Sequence, residues 1–286
     1  MPELPEVETV RAYLERVRGH RIREVTLRRA DLRYPIDVPA VEALEGAEIR
    51  AVRRRGKYLL IDVCTTDRSA VESDPRTLLI HLGMSGQLVL DPVADAPYGK
   101  HEHARFTLQA AASTVAMRFF DPRRFGAIDV MSSAGADSHK LLRNLGPEPF
   151  SGAFDGAYLY AKSRKRKLAT KQLIMDGRIV VGVGNIYASE ACWRAKVSPF
   201  RAAGRLSRRT CDALAVAIVD VLAEAVQMGG TTLKDFVGGD GAPGYFKQRL
   251  DAYDRAGQPC RRCADSEICK SVQQARMTYW CKRCQR

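Results

Sequence analysis

The tetrapeptide Gly146-Pro147-Glu148-Pro149 separates two stretches of different texture, and the fold class follows from that contrast. Before it, from about residue 21 to 131, short β-rich runs follow one another at 22–27, 49–52, 58–63, 77–82, 87–90, 104–108, 115–120 and 128–131. Turn residues separate them, which implies an antiparallel sandwich or barrel. After it the periodicity is helical, at 156–163, 167–176, 185–196 and 208–228. The last is the clearest: Ser207 can cap it, Cys211, Leu214, Ile218, Leu222 and Ala225 line one face, and Gly229-Gly230 ends it. Strands first and helices after make an α+β chain, with a boundary near 147.

Outward from that boundary, the chain opens on a helix. Val7, Val10, Leu14 and Val17 share one face, Pro5 suits the first turn, and Gly19 terminates it. The 286 residues carry 45% hydrophobic and 28% charged side chains, which excludes wholesale disorder. Stretches free of charge, for example 179–189, fall short of the roughly 18 residues a membrane span needs. Acidic residues from Glu3 onward do not fit a secretory signal, so a cytoplasmic location is expected. Lys and Arg number 46 against 33 Asp and Glu, a formal net charge of +13 that points to a polyanionic partner.

Five of the eight cysteines lie in the last 27 residues. Cys260-x2-Cys263-x17-Cys281-x2-Cys284 has the spacing of a structural zinc ribbon, with four thiolates closing a tetrahedral shell around one Zn2+. Such a metal folds a hairpin too small to have its own core. Cys269, between the two knuckles, reads as a spare thiol or a competing ligand. The tail from 253 holds eight Lys/Arg against three Asp/Glu, which suits a nucleic-acid backbone. A second basic cluster comprises Lys162, Arg164, Lys165, Arg166, Lys167 and Lys171. The Gly182-Val183-Gly184-Asn185 segment that follows fits a phosphate clamp of backbone N–H groups, or equally a tight helix–helix turn.

Three turns and the N-terminus complete the candidates. Removal of Met1 before the small residue Pro2 would expose a secondary amine with an ordinary pKa of about 7.7–8.0, able to attack a sugar carbon. Glu3 follows and could move protons. Arg53-Arg54-Arg55-Gly56-Lys57 surrounds a strand start with cations. His81-Leu82-Gly83-Met84-Ser85-Gly86 and Asp121-Pro122-Arg123-Arg124-Phe125-Gly126 read as turns with Met84, Arg123 and Phe125 at their tips. Such side chains on turn tips are what duplex-wedging proteins insert between base steps.

Taken together, these strings resemble the bacterial formamidopyrimidine-DNA glycosylase family. The resemblance rests on Met1-Pro2-Glu3-Leu4-Pro5-Glu6-Val7-Glu8-Thr9-Val10, Arg55-Gly56-Lys57-Tyr58-Leu59, the two turns above and Leu145-Gly146-Pro147-Glu148-Pro149. It continues through 180–190, Gly229-Gly230-Thr231-Thr232-Leu233 and the four-cysteine tail. Two departures are visible: a longer polar stretch at 64–76, and Ala264 where the ribbon would be expected to have glycine.

The resemblance implies an N-terminal helix plus β-sandwich (1–147), a helix–two-turn–helix domain (148–252) with a lesion-capping loop at about 231–245, and a zinc ribbon (253–286). It implies a monomeric base-excision-repair enzyme, associated with the nucleoid, that removes oxidised purines from double-stranded DNA and cleaves the abasic site. Pro2 would be the nucleophile and Glu3 the acid/base for ring opening. Lys57 would donate the proton for β-elimination and Arg276 that for δ-elimination. His101, Arg123, Lys167 and Asn185 would hold the DNA backbone, and Met84, Arg123 and Phe125 would fill the gap left by a flipped base. Two rivals remain at this stage. One is the sister glycosylase for oxidised pyrimidines, against which the Leu4–Thr9 string and the Gly-Asp-Gly-x-Pro-Gly-Tyr-Phe loop count. The other is a non-catalytic zinc-ribbon DNA-binding protein, which has no use for Pro2-Glu3.

Overall fold

The computed structural model describes residues 2–65, 75–111, 113–231 and 249–286. The chain divides into two compact units. Among the described residues, the first comprises Pro2 and Glu6–Arg143, and the second comprises Glu3–Pro5, Asn144–Thr231 and 249–286. Beyond the N-terminal residues, the division between the two falls at Asn144.

Helix α1 (Leu4–Leu14) is continued by a 3-10 turn to Val17. Its expected face is fully used: Val7, Val10, Leu14 and Val17 are each no more than 1% exposed. The strands that follow are β1 (Arg21–Leu27), β2 (Ala47–Arg55), β3 (Tyr58–Thr65), β4 (Pro75–His81), β5 (Gln87–Asp91), β6 (Glu102–Gln109), β7 (Thr114–Phe120) and β8 (Ala127–Ser132). They run in the order β5-β7-β6-β1-β2-β3-β4-β8, antiparallel throughout. Strands β1 and β2 share a single registered pair, Arg21 with Glu48, so the sheet falls into two four-stranded layers. Residues of both layers, such as Ile22, Phe106 and Phe119 from one and Ile49, Ile61 and Ile80 from the other, bury into one core together with α1. That is the expected sandwich. A five-residue helix, α2 (Val38–Glu42), was not legible in the periodicity; Asp37 caps it by accepting the Ala40 N–H.

The second unit is helical: α3 (Gly156–Ser163), α4 (Thr170–Met175), α5 (Asn185–Arg194) and α6 (Arg208–Gln227). Helix α6 buries the face read from the sequence, and Ser207 accepts the Thr210 N–H as its cap. Helix α4 starts at Thr170 rather than 167, because Ala169 is extended and serves as its N-cap. Helix α5 is buried continuously from Ile186 to Trp193, the mark of a central helix packed on every side. Beyond it, β9 (Ile268–Gln273) and β10 (Arg276–Cys281) form the ribbon hairpin. Gln274 and Ala275, both with positive φ, make its two-residue turn.

Candidate active site

In the helical unit the site is built on the first turn of α5. Glu3 is 2% exposed, and its carboxylate accepts three backbone N–H groups there. Gly184 donates to Oε2 (2.7 Å), Ile186 to Oε1 (2.9 Å) and Tyr187 to Oε2 (3.4 Å). The positive end of the helix dipole adds to the attraction. A Cβ on Gly184 would lie 2.2 Å from Glu3 Cδ, so only glycine leaves room for the carboxylate. The Gly-x-Gly-Asn segment is therefore a clamp of backbone amides, but these three amides hold Glu3 rather than a phosphate.

Asn185 turns towards the ribbon hairpin. Its Nδ2 donates to the Met277 carbonyl (3.0 Å), and its Oδ1 accepts from Lys171 Nζ (2.7 Å). Lys171 Nζ also donates to Thr278 Oγ1 (2.8 Å) and the Met277 carbonyl (3.2 Å), so all three of its protons are used. Burial, reinforced by Arg276 and opposed by Cys192 and Glu3, brings its pKa down to about 8. In the sequence Lys171 belongs to the basic cluster; the structure separates it from Lys162, Lys165 and Lys167, which are exposed. The signal available in the sequence was its spacing three residues before Ile174, on the apolar side of α4. An open depression of about 240 Å³ is lined by Lys171, Gln172, Asp176, Asn185 and Arg276, among others, with Arg276 exposed at the hairpin turn.

Glu190, on the same helix, repeats the device. Its carboxylate is wholly buried and accepts the N–H groups of Asp251, Ala252 and Tyr253 at 2.7–2.9 Å. This pins the segment leading into the ribbon. Burial pushes its pKa up, opposed by those three amides.

The ribbon cysteines meet as their spacing required. Cys260, Cys263, Cys281 and Cys284 place all four sulfurs within 4.8 Å of one another, with contacts of 3.9 Å (260 to 284) and 3.8 Å (263 to 281). A tetrahedron of metal–sulfur bonds of about 2.3 Å has edges of about 3.8 Å, so the four thiols fit a metal ion. Cys269 is outside this cluster, on β9 opposite Trp280. Ala264 sits at φ 56, the conformation for which glycine was expected.

In the sandwich unit the turns at 81–86 and 121–126 are joined. Gly83 has φ 62, and a Cβ there would lie 2.4 Å from the Phe125 carbonyl carbon, so the turns touch backbone to backbone. Asp121 is fully buried beneath them. It accepts from Ser85 Oγ (2.8 Å) and from the Gly126 N–H (2.7 Å). Phe125 is 43% exposed with the Arg123 guanidinium over its ring at 4.9 Å. Met84 is half-buried rather than fully projecting. His101 is exposed at φ 64, and its carbonyl accepts the Asp121 N–H. Lys57 occupies the β2–β3 turn, half-buried. Burial, with the charges of Lys57 and Arg33, holds the His81 ring down to about 4. The neutral ring packs on Tyr58 (4.8 Å), and its Nδ1 accepts the Gly83 N–H (3.0 Å). Of the other strand-start cations, Arg53 pairs with Asp62 and Arg54 with Glu8, which assigns them to the scaffold. Pro2 is buried. Met1, the stretch 66–74 and the capping loop from 232 lie outside the described residues.

The chain matches the model of the formamidopyrimidine-DNA glycosylase N-terminal domain over residues 1–128 and that of the family's H2TH domain over 145–237. It belongs to the formamidopyrimidine-DNA glycosylase family. Curated family members from Teredinibacter turnerae and Cupriavidus pinatubonensis are 49% and 46% identical, with all of this chain and all of each relative covered. The Thermus thermophilus MutM (Fpg) structure is 36% identical with a TM-score of 0.84, covering 99% of this chain and 98% of that one. The Lactococcus lactis Fpg, solved with DNA containing N7-benzyl-Fapy-dG, is 30% identical with a TM-score of 0.87 over the full length of both chains. Among the described residues, no helix is long and apolar enough to cross a membrane.

Proposed function

We propose that this family member is a bifunctional glycosylase and abasic-site lyase acting on oxidised purines, 8-oxoguanine and formamidopyrimidines, in duplex DNA. The observation that carries the reading is the Glu3 carboxylate, held by three amides next in sequence to Pro2. A side chain restrained so tightly beside a secondary amine is suited to proton transfer at the carbon that amine attacks. The Pro2 nitrogen bonds to C1′ as the damaged base leaves, and Glu3 passes a proton to the ring oxygen as the sugar opens. The product is an iminium. Lys57 assists loss of the 3′ phosphate and Arg276 that of the 5′ phosphate.

His101, Arg123, Lys167 and Asn185 hold the backbone, and Met84, Arg123 and Phe125 occupy the space left by the extruded base. The net charge of +13 and the DNA complexes of the Lactococcus lactis relative support a duplex partner. Residues 1–147 act as the catalytic sandwich, 148–252 as the DNA-binding domain and 253–286 as the ribbon, whose four cysteines hold one Zn2+. That ion has no open ligand position and supplies folding rather than chemistry.

Borohydride reduction during incubation with duplex containing one oxidised guanine tests the reading. A trapped protein–DNA adduct on the N-terminal peptide is expected. An adduct on Lys57, or trapping only with an oxidised pyrimidine, overturns the nucleophile or the substrate class respectively.

A further inference from the structure

Helix α5 meets the ribbon through Trp193. The indole packs with Ala252, Cys260, Ile268 and Cys281 and is 8% exposed. Its Nε1 is, among the described residues, the one buried side-chain polar atom without a hydrogen bond of standard geometry. A buried N–H without a partner is costly, so a folded protein keeps one where a partner completes it. The Cys260 side chain packs in the same cluster, within reach of the indole N–H.

Arg262, between two ligand cysteines, locks the arrangement. Its guanidinium covers the Trp193 ring at 3.9 Å and donates to the Trp193 carbonyl at 2.7 Å and the Arg194 carbonyl at 3.4 Å. These carbonyls end α5, where a cation also complements the helix dipole. A divalent metal held by four thiolates carries a net charge of about −2, which N–H donors aimed at sulfur help to spread. One such donor to Cys281 is already formed, from the Cys284 N–H at 3.4 Å.

We infer that Trp193 is a positioning residue of the metal centre, its indole N–H closing onto the Cys260 thiolate when the ion is bound and tying the ribbon to α5. The inference rests on the metal reading above. The same helix holds Glu3 at its other end, so the metal centre and the acid/base share one rigid support.

Trp193→Phe keeps an aromatic ring under Arg262 and removes only the N–H. Metal content is measured first: wild-type protein without metal refutes the metal reading itself. With metal present in both proteins, the variant should release zinc to a chelator roughly 10- to 100-fold faster. Its cobalt-loaded form should show the thiolate-to-metal charge-transfer band at longer wavelength, because an unbonded thiolate gives up charge more easily. Equal release rates and an unmoved band overturn the inference. Should the variant fail to fold, wild-type protein loaded with NMR-active cadmium decides: scalar coupling between the indole proton and the metal supports the hydrogen bond, and its absence overturns it.

Discussion

The sandwich and the ribbon hold their functional side chains by different means. In the sandwich, 25 buried apolar residues among those described, most from α1 and the sheet, form one cluster, and the turns at 81–86 and 121–126 are fastened to its edge by Asp121, Ser85 and Gly83. The ribbon's cluster has five buried residues, of which Cys260 and Cys281 belong to the four-thiol group and Trp193 is borrowed from α5. Hydrophobic burial on that scale does not offset the chain entropy of a hairpin. The comparison teaches that the sandwich turns rest on packing, whereas the ribbon rests on a few polar ties and on the ion its four thiols could hold, so the two should fail under different conditions.

Metal removal is the strongest way to break the comparison. Structural metal sites of this kind contribute about 10–16 kcal/mol of apparent binding free energy. Chelation, or Cys260→Ser, should abolish amide-exchange protection in 253–286 while the sandwich strands keep theirs, and Cys269→Ser should change neither. Protection that persists in β9 and β10 without metal would remove the ribbon's dependence on it.

Next in size is Gly184→Ala. The added methyl carbon would lie 2.2 Å from Glu3 Cδ, so the carboxylate must leave its three amides. Displacement of a catalytic group by about 1 Å costs on the order of 100-fold in rate. Base excision should fall by about that factor, with full metal content. Wild-type excision by this variant would show that the clamp on Glu3 is dispensable.

The sandwich has its own sensitivity, to acid. His81 is held down to about 4 from an ordinary value of about 6.5. The unfolded chain therefore binds a proton that the folded one refuses, so stability is present above about pH 6.5 and is lost as pH falls towards 4. The whole loss is about 3 kcal/mol at most. Thermal unfolding between pH 7 and 4 should show this slope, and His81→Gln should flatten it; an unchanged slope would place the titration elsewhere.

The smallest expected effect is Phe125→Ala. Stacking on an aromatic side chain is worth about 1–3 kcal/mol per base, which slows excision roughly 5- to 150-fold. Cleavage of a ready-made abasic site should stay near wild type, because no base has to be extruded. Excision, abasic-site cleavage and melting temperature lost in parallel would return Phe125 to a packing role.

Elements whose local pattern matches their surroundings were legible in the chain. The apolar faces of α1 and α6, the eight sandwich strands and the ligand spacing of the ribbon all came through, because periodicity and metal geometry are local properties. Helix α2 did not, since five residues hold too little periodicity. Lys171 looked like its neighbours: a lysine side chain reads the same in solvent or bonded to Asn185, Met277 and Thr278. Arg53 and Arg54 were equally ambiguous until Asp62 and Glu8 were placed beside them.

The sequence by itself determined the α+β division, the candidate nucleophile and acid/base, the four candidate metal ligands and the turns that carry Met84 and Phe125. Each depends on residues close along the chain. Tertiary structure alone decided what the amides of Gly184, Ile186 and Tyr187 hold, since Glu3 lies 181 residues from the nearest of them. It alone joined the turns through Asp121, buried Lys171 behind Asn185, and brought Trp193 against Cys260. Hydrogen bonds and packing between distant segments depend on which groups meet once the backbone is folded. Neither the periodicity nor the spacing of a single chain carries that information.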